Sequence, residues 1–437
     1  MTKLSFYNGL REIGGTFVVV ETEYAKCMFD FGFAVADRGD DKIHKRKDYA
    51  ADYVKIGILP PADGIYSEVT AHKLGLKAYG EMDKECFLVI SHMHIDHMGG
   101  LGSLSQQIPV YMSEDSLRLY HRLVENGDIQ DAGHDNCIGI PYGSSFSAGD
   151  ITVKVIAIDH DIVGACGFLI TTPEGKICYT GDYRFHGFHP EVTRAFAQEV
   201  KAADVLITEG VTVSFDDIDM LSLEEPTESI RTEESLQQEM RELVRTEKEL
   251  IVINLYNRNV ERLHRLNQTL AEAGRTFVMD SVSASYVAEF YPEDVISIYG
   301  ETIPEGKRNF VPLHWNIIKQ KKLLAKPEQY VLQLNYSDIY ELLDIAEKTA
   351  CYVHMDGAPL GEYDVSFAKM KNLLEHLQIR YEYKGLGGHA LPWYLKEMVD
   401  TIAPKTLIPL HSFRPEQVKS DKASRQYLPQ YGECFFL

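Results

Sequence analysis

The segment Ser91–Gly100, which reads SHMHIDHMGG, constrains the fold more than any other part of the chain. Three histidines and one aspartate stand within six positions, directly after a short apolar run. Residues two apart on an extended segment share one face, so we expect His92 and His94 to bind one ion together. A turn would then let Asp96 and His97 face a second ion. Imidazole and carboxylate suit zinc-like metals, so the segment predicts a metal site.

Three further residues of the ligand type, His160, Asp182 and His411, stand where predicted strands end. Those strands are Ile151–Ile158, Lys176–Thr180 and Thr406–Leu410. A lone histidine is more often a surface or core residue. A rigid sheet can aim several such side chains at one place, so the set predicts one site more strongly than its members do.

The organisation of the chain changes after its first half. The early part is β-rich, with predicted strands at Thr16–Glu21, Lys26–Gly32, Cys86–Ser91 and Gly167–Thr171. Predicted helices and strands then alternate, which is typical of βαβ units and a parallel sheet. The helices are Glu234–Thr246, Asn259–Ala273, Ser337–Lys348 and Leu391–Ile402, and the strands are Leu250–Leu255, Thr276–Met279, Tyr330–Leu334 and Ala350–Met355.

The order of these motifs resembles that of the metallo-β-lactamase superfamily. The resemblance implies an α/β fold, an αββα sandwich, and two divalent metal ions, Zn²⁺ or Mn²⁺, per chain. It also implies a ligand set. The first ion would be bound by His92, His94 and His160, the second by Asp96, His97 and His411, and both by Asp182.

Asp182 and His411 are 229 positions apart (411 − 182), which is more than a simple hydrolase of this fold needs. The α/β stretch between them resembles the inserted domain of the β-CASP branch, whose members are nucleases. Glu209 and His389 resemble the first two motifs of that branch, and His411 resembles the third. We therefore predict a metallo-β-lactamase domain at residues 1–209, a β-CASP-like inserted domain at 210–384, and a return segment at 385–437. The predicted catalytic residues are Asp96, Asp182, Glu209 and His389.

Within this branch the chain resembles the ribonuclease J family. The segment Gly9–Gly15 and the spacing from Asn259 to Arg262 carry that likeness. The chain departs from the family at Gly387, where serine is usual, and at Ser412-Phe413, where Gly-Glu is usual. These departures leave the predicted metal ligands intact, but they weaken the implication about substrate.

The residues alone leave alternatives open for the two non-ligand positions. A buried carboxylate such as Glu209 often caps nearby amides, and an ordinary turn is the minority interpretation of Gly387-Gly388-His389. If the two side chains pair, Glu209 would hold the tautomer of His389 that protonates a leaving oxygen. Asn259 and Arg262 read as helix-start residues, with phosphate contact as the minority interpretation.

The predicted function is metal-dependent phosphodiester hydrolysis by a ribonuclease, acting as an endonuclease, a 5′–3′ exonuclease or both. The substrate would be single-stranded RNA, including 5′-monophosphorylated RNA, or DNA. Two rivals remain: a hydrolase of small esters, lactones or thioesters on the same metal pair, and a non-catalytic regulatory protein. The second rival is disfavoured because structural zinc sites are usually closed four-ligand sites.

Composition bounds the setting. The net charge of −21 argues against a general nucleic-acid-binding module, but a bound pair of cations makes a site locally positive. The seven cysteines show no paired spacing, and the chain has neither a secretory signal nor an 18-residue apolar run. We therefore expect a cytoplasmic protein without a membrane partner, and a homo-oligomer stays an open alternative.

Overall fold

A computed structural model describes residues 1–34, 49–129, 133–227, 229–303 and 311–437. The chain forms two compact units. The first contains Met1–Ser229 and Gly388–Leu437, and the second contains Ile230–Gly387. The boundaries predicted from the sequence, 209/210 and 384/385, differ from this division by about twenty and three residues, which places residues 210–229 in the first unit.

Two seven-stranded sheets form the centre of the first unit in the described part of the chain. In spatial order, the first sheet is β21 (Cys434–Phe436), β1 (Lys3–Asn8), β2 (Phe17–Glu21), β3 (Ala25–Phe29), β4 (Glu85–Val89), β5 (Val110–Ser113) and β6 (Cys137–Ile140). The second sheet is β20 (Arg425–Gln426), β19 (Thr406–Pro409), β11 (Val205–Thr208), β10 (Lys176–Tyr179), β9 (Cys166–Thr171), β8 (Ile151–Ala157) and β7 (Ser145–Ala148). The C-terminal segment thus adds a strand beside β1 and another beside β11.

The first unit is layered because its strands alternate in the side chains that they bury. On β10, Ile177 and Tyr179 enter the core between the two sheets, while Cys178 enters the core on the opposite face. Helices cover that opposite face with residues such as Phe196 and Leu395. Successive side chains of a strand point to opposite faces, so a sheet buried on both sides needs apolar residues at every position. The αββα arrangement predicted from the sequence is confirmed.

The helices of the described chain vary from one turn to about four turns. In the first unit they are α1 (Tyr49–Lys55), α2 (Glu68–Leu74), α3 (Ile95–Met98), α4 (Glu114–Asn126), α5 (Pro190–Glu199) and α12 (Pro392–Ile402). In the second unit they are α6 (Glu233–Thr246), α7 (Val260–Glu272), α8 (Ser281–Phe290), α9 (Gln320–Ala325), α10 (Leu342–Ile345) and α11 (Val365–His376). Among the described residues, none of these helices has the length and apolar character needed to cross a lipid bilayer.

The second unit is an α/β domain around a parallel five-stranded sheet, counted over the described residues. Its spatial order is β13 (Thr276–Val278), β16 (Tyr330–Gln333), β12 (Leu250–Leu255), β17 (Thr349–Met355) and β18 (Arg380–Tyr383). A separate parallel pair is formed by β14 (Ser297–Tyr299) and β15 (Asn316–Ile318). The parallel sheet that the alternating pattern predicts is present.

One predicted helix of the second unit is wrong. The stretch Ser337–Lys348 is not a continuous α-helix, because 3₁₀ turns flank the single α-turn of α10. The buried residues of this stretch are Ile339, Leu342 and Ile345, which are spaced by three. A spacing of three keeps side chains on one face of a 3₁₀-helix, which has three residues per turn.

A fully buried arginine holds the second unit together. The Arg262 guanidinium on α7 donates to both carboxylate oxygens of Glu233, at 2.9–3.2 Å, and to Asp356 Oδ2 at 3.0 Å. The Arg262 guanidinium is therefore not available to bind phosphate, because its N–H groups bind carboxylates within the second unit. Asn259 caps α7 by accepting a hydrogen bond from the Arg262 amide at 3.2 Å, so the helix-start interpretation describes both residues.

We predict that Arg262→Ala destabilises the second unit by about 3–5 kcal/mol, because it leaves the buried Glu233 and the partly buried Asp356 without their cation. Urea unfolding of the full chain measures this loss. The control is Arg265→Ala on the same helix, where the side chain is 41% exposed and pairs with Glu261. An exposed pair of this kind is worth about 0.5 kcal/mol or less. Equal unfolding midpoints for the two variants would contradict the prediction.

Candidate metal centre

The predicted ligand segment leaves β4 and changes conformation within a few residues. His94 is still extended, with ψ of 149°, and it is the N-cap of α3, whose single turn contains Asp96 and His97. His92 and His94 therefore share a face of extended chain, while the helical turn redirects the next two ligand-type residues. The sequence-based expectation of a turn between the pairs is met by this helix start. The chain that leaves α3 needs glycine at Gly100, because a Cβ there would lie 2.8 Å from the Phe31 carbonyl oxygen.

Four side chains form the first group of ligand-type atoms. His94 Nδ1 lies 3.1 Å from His92 Nε2 and 3.2 Å from His160 Nε2. Asp182 Oδ2 lies 3.8 Å from His92 Nε2. One atom from each of the four residues lies within 4.8 Å of the others, so the group could hold a metal ion.

A second group forms around the same aspartate. Asp182 Oδ2 lies 3.1 Å from His97 Nε2 and 3.5 Å from His411 Nε2. Asp96 Oδ2 lies 3.7 Å and 3.6 Å from the same two nitrogens. These four residues also keep their ligand-type atoms within 4.8 Å of one another. The structure thus brings all seven predicted ligands together in two groups that share Asp182.

Burial gives most of these histidines the neutral form that a metal ligand needs. Burial lowers the pKa of His92, His160 and His411, and it lowers that of His94 to about 3. His97 is the exception: burial lowers its pKa, but Asp182, Asp96 and Asp30 raise it well above the ordinary value.

The second group contains a buried nitrogen atom that lacks a hydrogen-bond partner in the described part of the chain, and an ionised carboxylate. His411 Nε2 is buried and has no hydrogen-bond partner among the described residues. Burial raises the pKa of Asp182, yet His411 and His97 bring it well below its usual range, so the shared carboxylate is ionised. Imidazole nitrogens that converge on anionic oxygens are the donor chemistry that zinc-like ions require. The residues therefore fit two divalent cations.

One buried aspartate that supports the site is missing from the sequence-based prediction. Asp30 follows β3 with a positive φ of 54°, and its Oδ2 lies 2.7 Å from His97 Nδ1. It also accepts hydrogen bonds from the amide and hydroxyl of Ser91 and from the Tyr179 hydroxyl. It thereby turns His97 Nε2 towards the second group. The signal was available, because Asp30 ends an apolar strand as Asp182 does.

Glu209 and His389 lie beside the shared aspartate. His389 Nδ1 lies 3.1 Å from Glu209 Oε2 and 3.7 Å from Asp182 Oδ2. Burial lowers the pKa of His389, but Glu209 and Asp182 together raise it to about 10. Glu209 also accepts hydrogen bonds from three backbone amides, those of Tyr183, Val211 and Ala390. Both interpretations of this carboxylate therefore apply: it caps amides and it contacts His389.

The chain that carries His389 approaches the first group very closely. The Gly388 carbonyl oxygen lies 2.7 Å from His160 Nδ1, which leaves His160 Nε2 for the group. A Cβ on Gly388 would lie 2.7 Å from Asp161 Oδ1 and 2.8 Å from His160 Cε1. Glycine is needed here for space, whereas Gly387 has a positive φ of 70° and open space around its Cβ position.

We predict that Gly388→Ala weakens binding of the first ion by ~10–100-fold, the usual cost of disturbing a ligand's outer partner. The added methyl must displace the ring of His160 or the peptide that orients it. Metal content after dialysis against graded chelator measures this effect. Gly387→Ala is the matched control, since it strains the backbone but crowds no ligand. Equal metal retention in the two variants would show that Gly388 has no such role.

Ser412 and Phe413, where the sequence departs from ribonuclease J, make specific local contacts. The hydroxyl of Ser412 lies 2.9 Å from that of Ser214 and accepts a hydrogen bond from the Arg414 amide. Phe413 is 48% exposed and meets Phe215 edge to face, at 6.2 Å between ring centroids. Next to the candidate ligand His411, the chain thus presents an exposed aromatic pair.

Part of the chain is similar in sequence to known proteins. Residues 76–242 match a beta-lactamase superfamily domain. Ribonuclease J of Pyrococcus abyssi is 24% identical over 225 residues, which are 49% of this chain and 46% of that protein. Ribonuclease J 1 of Streptococcus pyogenes is 29% identical over 197 residues, 44% of this chain and 33% of that protein. The matched region thus spans less than half the length of these relatives.

A solved structure is similar along the whole chain. It is the crystal structure of a protein of unknown function from Enterococcus faecalis V583, with a TM-score of 0.84, 26% identity and full coverage of both chains. The two-sheet fold, the His/Asp groups and the domain matched at residues 76–242 support membership of the metallo-β-lactamase superfamily. Within that superfamily the chain is ribonuclease J-like in sequence.

Proposed function

We propose that this chain is a metal-dependent phosphodiester hydrolase that acts as a ribonuclease. The observation that carries the proposal is the position of Asp182, which belongs to both metal-type groups and also to the group with Glu209 and His389. A nucleophile formed near Asp182 and a proton donor at His389 would flank one reacting phosphate. The similarity to ribonuclease J supports RNA as the substrate class.

The proposed metal ligands are the seven residues of the two groups. His92, His94 and His160 hold the first ion, Asp96, His97 and His411 hold the second, and Asp182 serves both. When bound, two divalent ions such as Zn²⁺ or Mn²⁺ lower the pKa of a water molecule and stabilise the charge that develops on the attacked group.

The proposed roles of Glu209 and His389 follow from their contact. Glu209 holds the imidazole through Nδ1, at 3.1 Å, so that His389 Nε2 is the atom that delivers a proton to the leaving oxygen. Three backbone amides fix Glu209 itself, which limits the movement of the pair. A positioned acid of this kind typically contributes about 10²–10⁴-fold in rate.

We further propose that the second unit is a β-CASP-like domain that serves a polymeric substrate. Every predicted ligand lies in the first unit, so a hydrolase of small lactones or thioesters would not need the second one. A cytoplasmic location and self-association into homo-oligomers belong to the same proposal.

The test is a cleavage assay on metal-loaded protein. End-labelled single-stranded RNA and DNA, each with and without a 5′ phosphate, are incubated with the full chain, and the product ladder is resolved. A ladder from RNA supports the proposal, and dependence on the 5′ phosphate identifies exonuclease action. Turnover of a lactone or thioester with both nucleic acids left intact would overturn it in favour of the small-molecule alternative.

A further inference from the structure

Next to the first ligand group lies a carboxylate to which neither the sequence nor the proposed function gives a role. Asp161 follows His160 directly, and its side chain is only 13% exposed. Its Oδ1 atom is buried, and among the described residues no hydrogen-bond partner meets it. The oxygen lies 3.3 Å from His94 Nε2 and 3.4 Å from His160 Nε2.

The orientation of His94 gives this position a meaning. The two nitrogens of His94 have different neighbours: Nδ1 lies 3.1 Å from His92 Nε2 and 3.2 Å from His160 Nε2, while Nε2 lies 3.3 Å from Asp161 Oδ1. A metal ligand atom must offer a lone pair, so a His94 that binds through Nδ1 carries its proton on Nε2. Asp161 Oδ1 lies 3.3 Å from that nitrogen, at ion-pair distance and without hydrogen-bond geometry.

We infer that Asp161 is a positioning residue of the first ion site, which holds His94 in the tautomer that presents Nδ1 to the metal. Asp161 stands outside the four described residues whose ligand atoms lie within 4.8 Å of one another, so we assign it a supporting role and not that of a ligand. The inference rests on the metal centre of the proposed function. A carboxylate behind a ligating histidine fixes its ring and raises its basicity.

The neighbouring contacts agree with this role. His97 of the second group has its own carboxylate, Asp30, at 2.7 Å from its outer nitrogen. Each ion position would thus contain one histidine supported by a carboxylate. Gly388 packs closely against Asp161, since a Cβ there would meet Oδ1 at 2.7 Å.

The test measures metal binding, so it does not depend on nuclease activity. His411→Ala is expected to leave only the first ion and His92→Ala only the second. Asp161→Ala is added to each, and Zn²⁺ content is measured by elemental analysis after dialysis against graded chelator. We expect Asp161→Ala to weaken retention by ~10–100-fold in the His411→Ala chain and to change nothing in the His92→Ala chain. The exposed Asp135→Ala is the matched control in both backgrounds.

A spectroscopic readout separates positioning from a loss of fold. Co²⁺ bound to the His411→Ala chain reports its ligand geometry through its visible absorption bands. Asp161→Asn, which keeps the shape but loses the charge, should shift these bands, whereas Asp135→Asn should not. Unchanged retention and unchanged bands in the Asp161 variants would overturn the inference while leaving the metal centre standing. If the unmodified chain binds no ion, the proposed metal centre and this inference both fail.

Discussion

Asp182→Ala is expected to reduce the metal content of the chain from two ions to less than one. Asp182 Oδ2 is within 3.8 Å of a nitrogen from His92, His97 and His411, so both groups lose their shared anion together. Loss of an outer partner alone costs about 10–100-fold in metal affinity. Loss of a ligand common to both ions should cost more than that for each, and nuclease activity should fall below detection.

The metal-free state distinguishes this effect from unfolding. A bound ion stabilises only the folded chain, so the variant should lose the thermal stabilisation that added Zn²⁺ gives the unmodified protein. In chelator, the two proteins should unfold at similar temperatures. Asp182→Asn keeps the volume but removes the charge, and it should resemble Asp182→Ala in metal content. Retention of one tightly bound ion in either variant would show that Asp182 serves a single position.

Much of the candidate site could be predicted because its histidines and aspartates stand in short segments that directly follow apolar strands. The residues at the ends of β8, β10 and β19 needed only an apolar strand before them to be placed at one sheet edge. Asp30 and Asp161 act through another side chain, so their roles depend on a distance across the fold. No sequence spacing indicates that Asp30 contacts His97 or that Asp161 contacts His94. Asp30 and His97, for example, are 67 positions apart.

The fold was predictable where apolar periodicity is strong. The strand Leu250–Leu255 is buried at all six positions, and its predicted bounds agree with the structure. The predicted α-helix at Ser337–Lys348 is wrong because the buried positions recur every three residues. In so short a stretch, the order of polar and apolar residues does not distinguish a period of three from one of 3.6. Helices such as Pro190–Glu199 bury only three residues, which leaves a weak signal in sequence.

His389→Ala is expected to leave both ions and the fold in place while it lowers the rate of RNA cleavage by ~10²–10⁴-fold. His389 belongs with Asp182 and Glu209, outside the two groups that gather the predicted ligands. Bound divalent ions would supply an activated water in this proposal, and the alkoxide leaving group would still gain from a proton donor positioned at His389. Glu209→Gln should cause a smaller loss of the same kind, because it keeps the amide contacts and weakens the charge support of the imidazole.

The control for this prediction is His121→Ala, which removes an exposed histidine of α4 from the same unit. Single-turnover cleavage of end-labelled RNA and metal content are measured on the same samples. Loss of activity with two ions retained assigns His389 to proton transfer, and loss of an ion would place it in the ligand shell instead. Cleavage at the normal rate would remove the general acid from the mechanism. A lactone substrate, whose leaving group needs less help, should be much less sensitive to His389→Ala than RNA is, so the ratio of the two losses separates a nuclease from a small-molecule hydrolase.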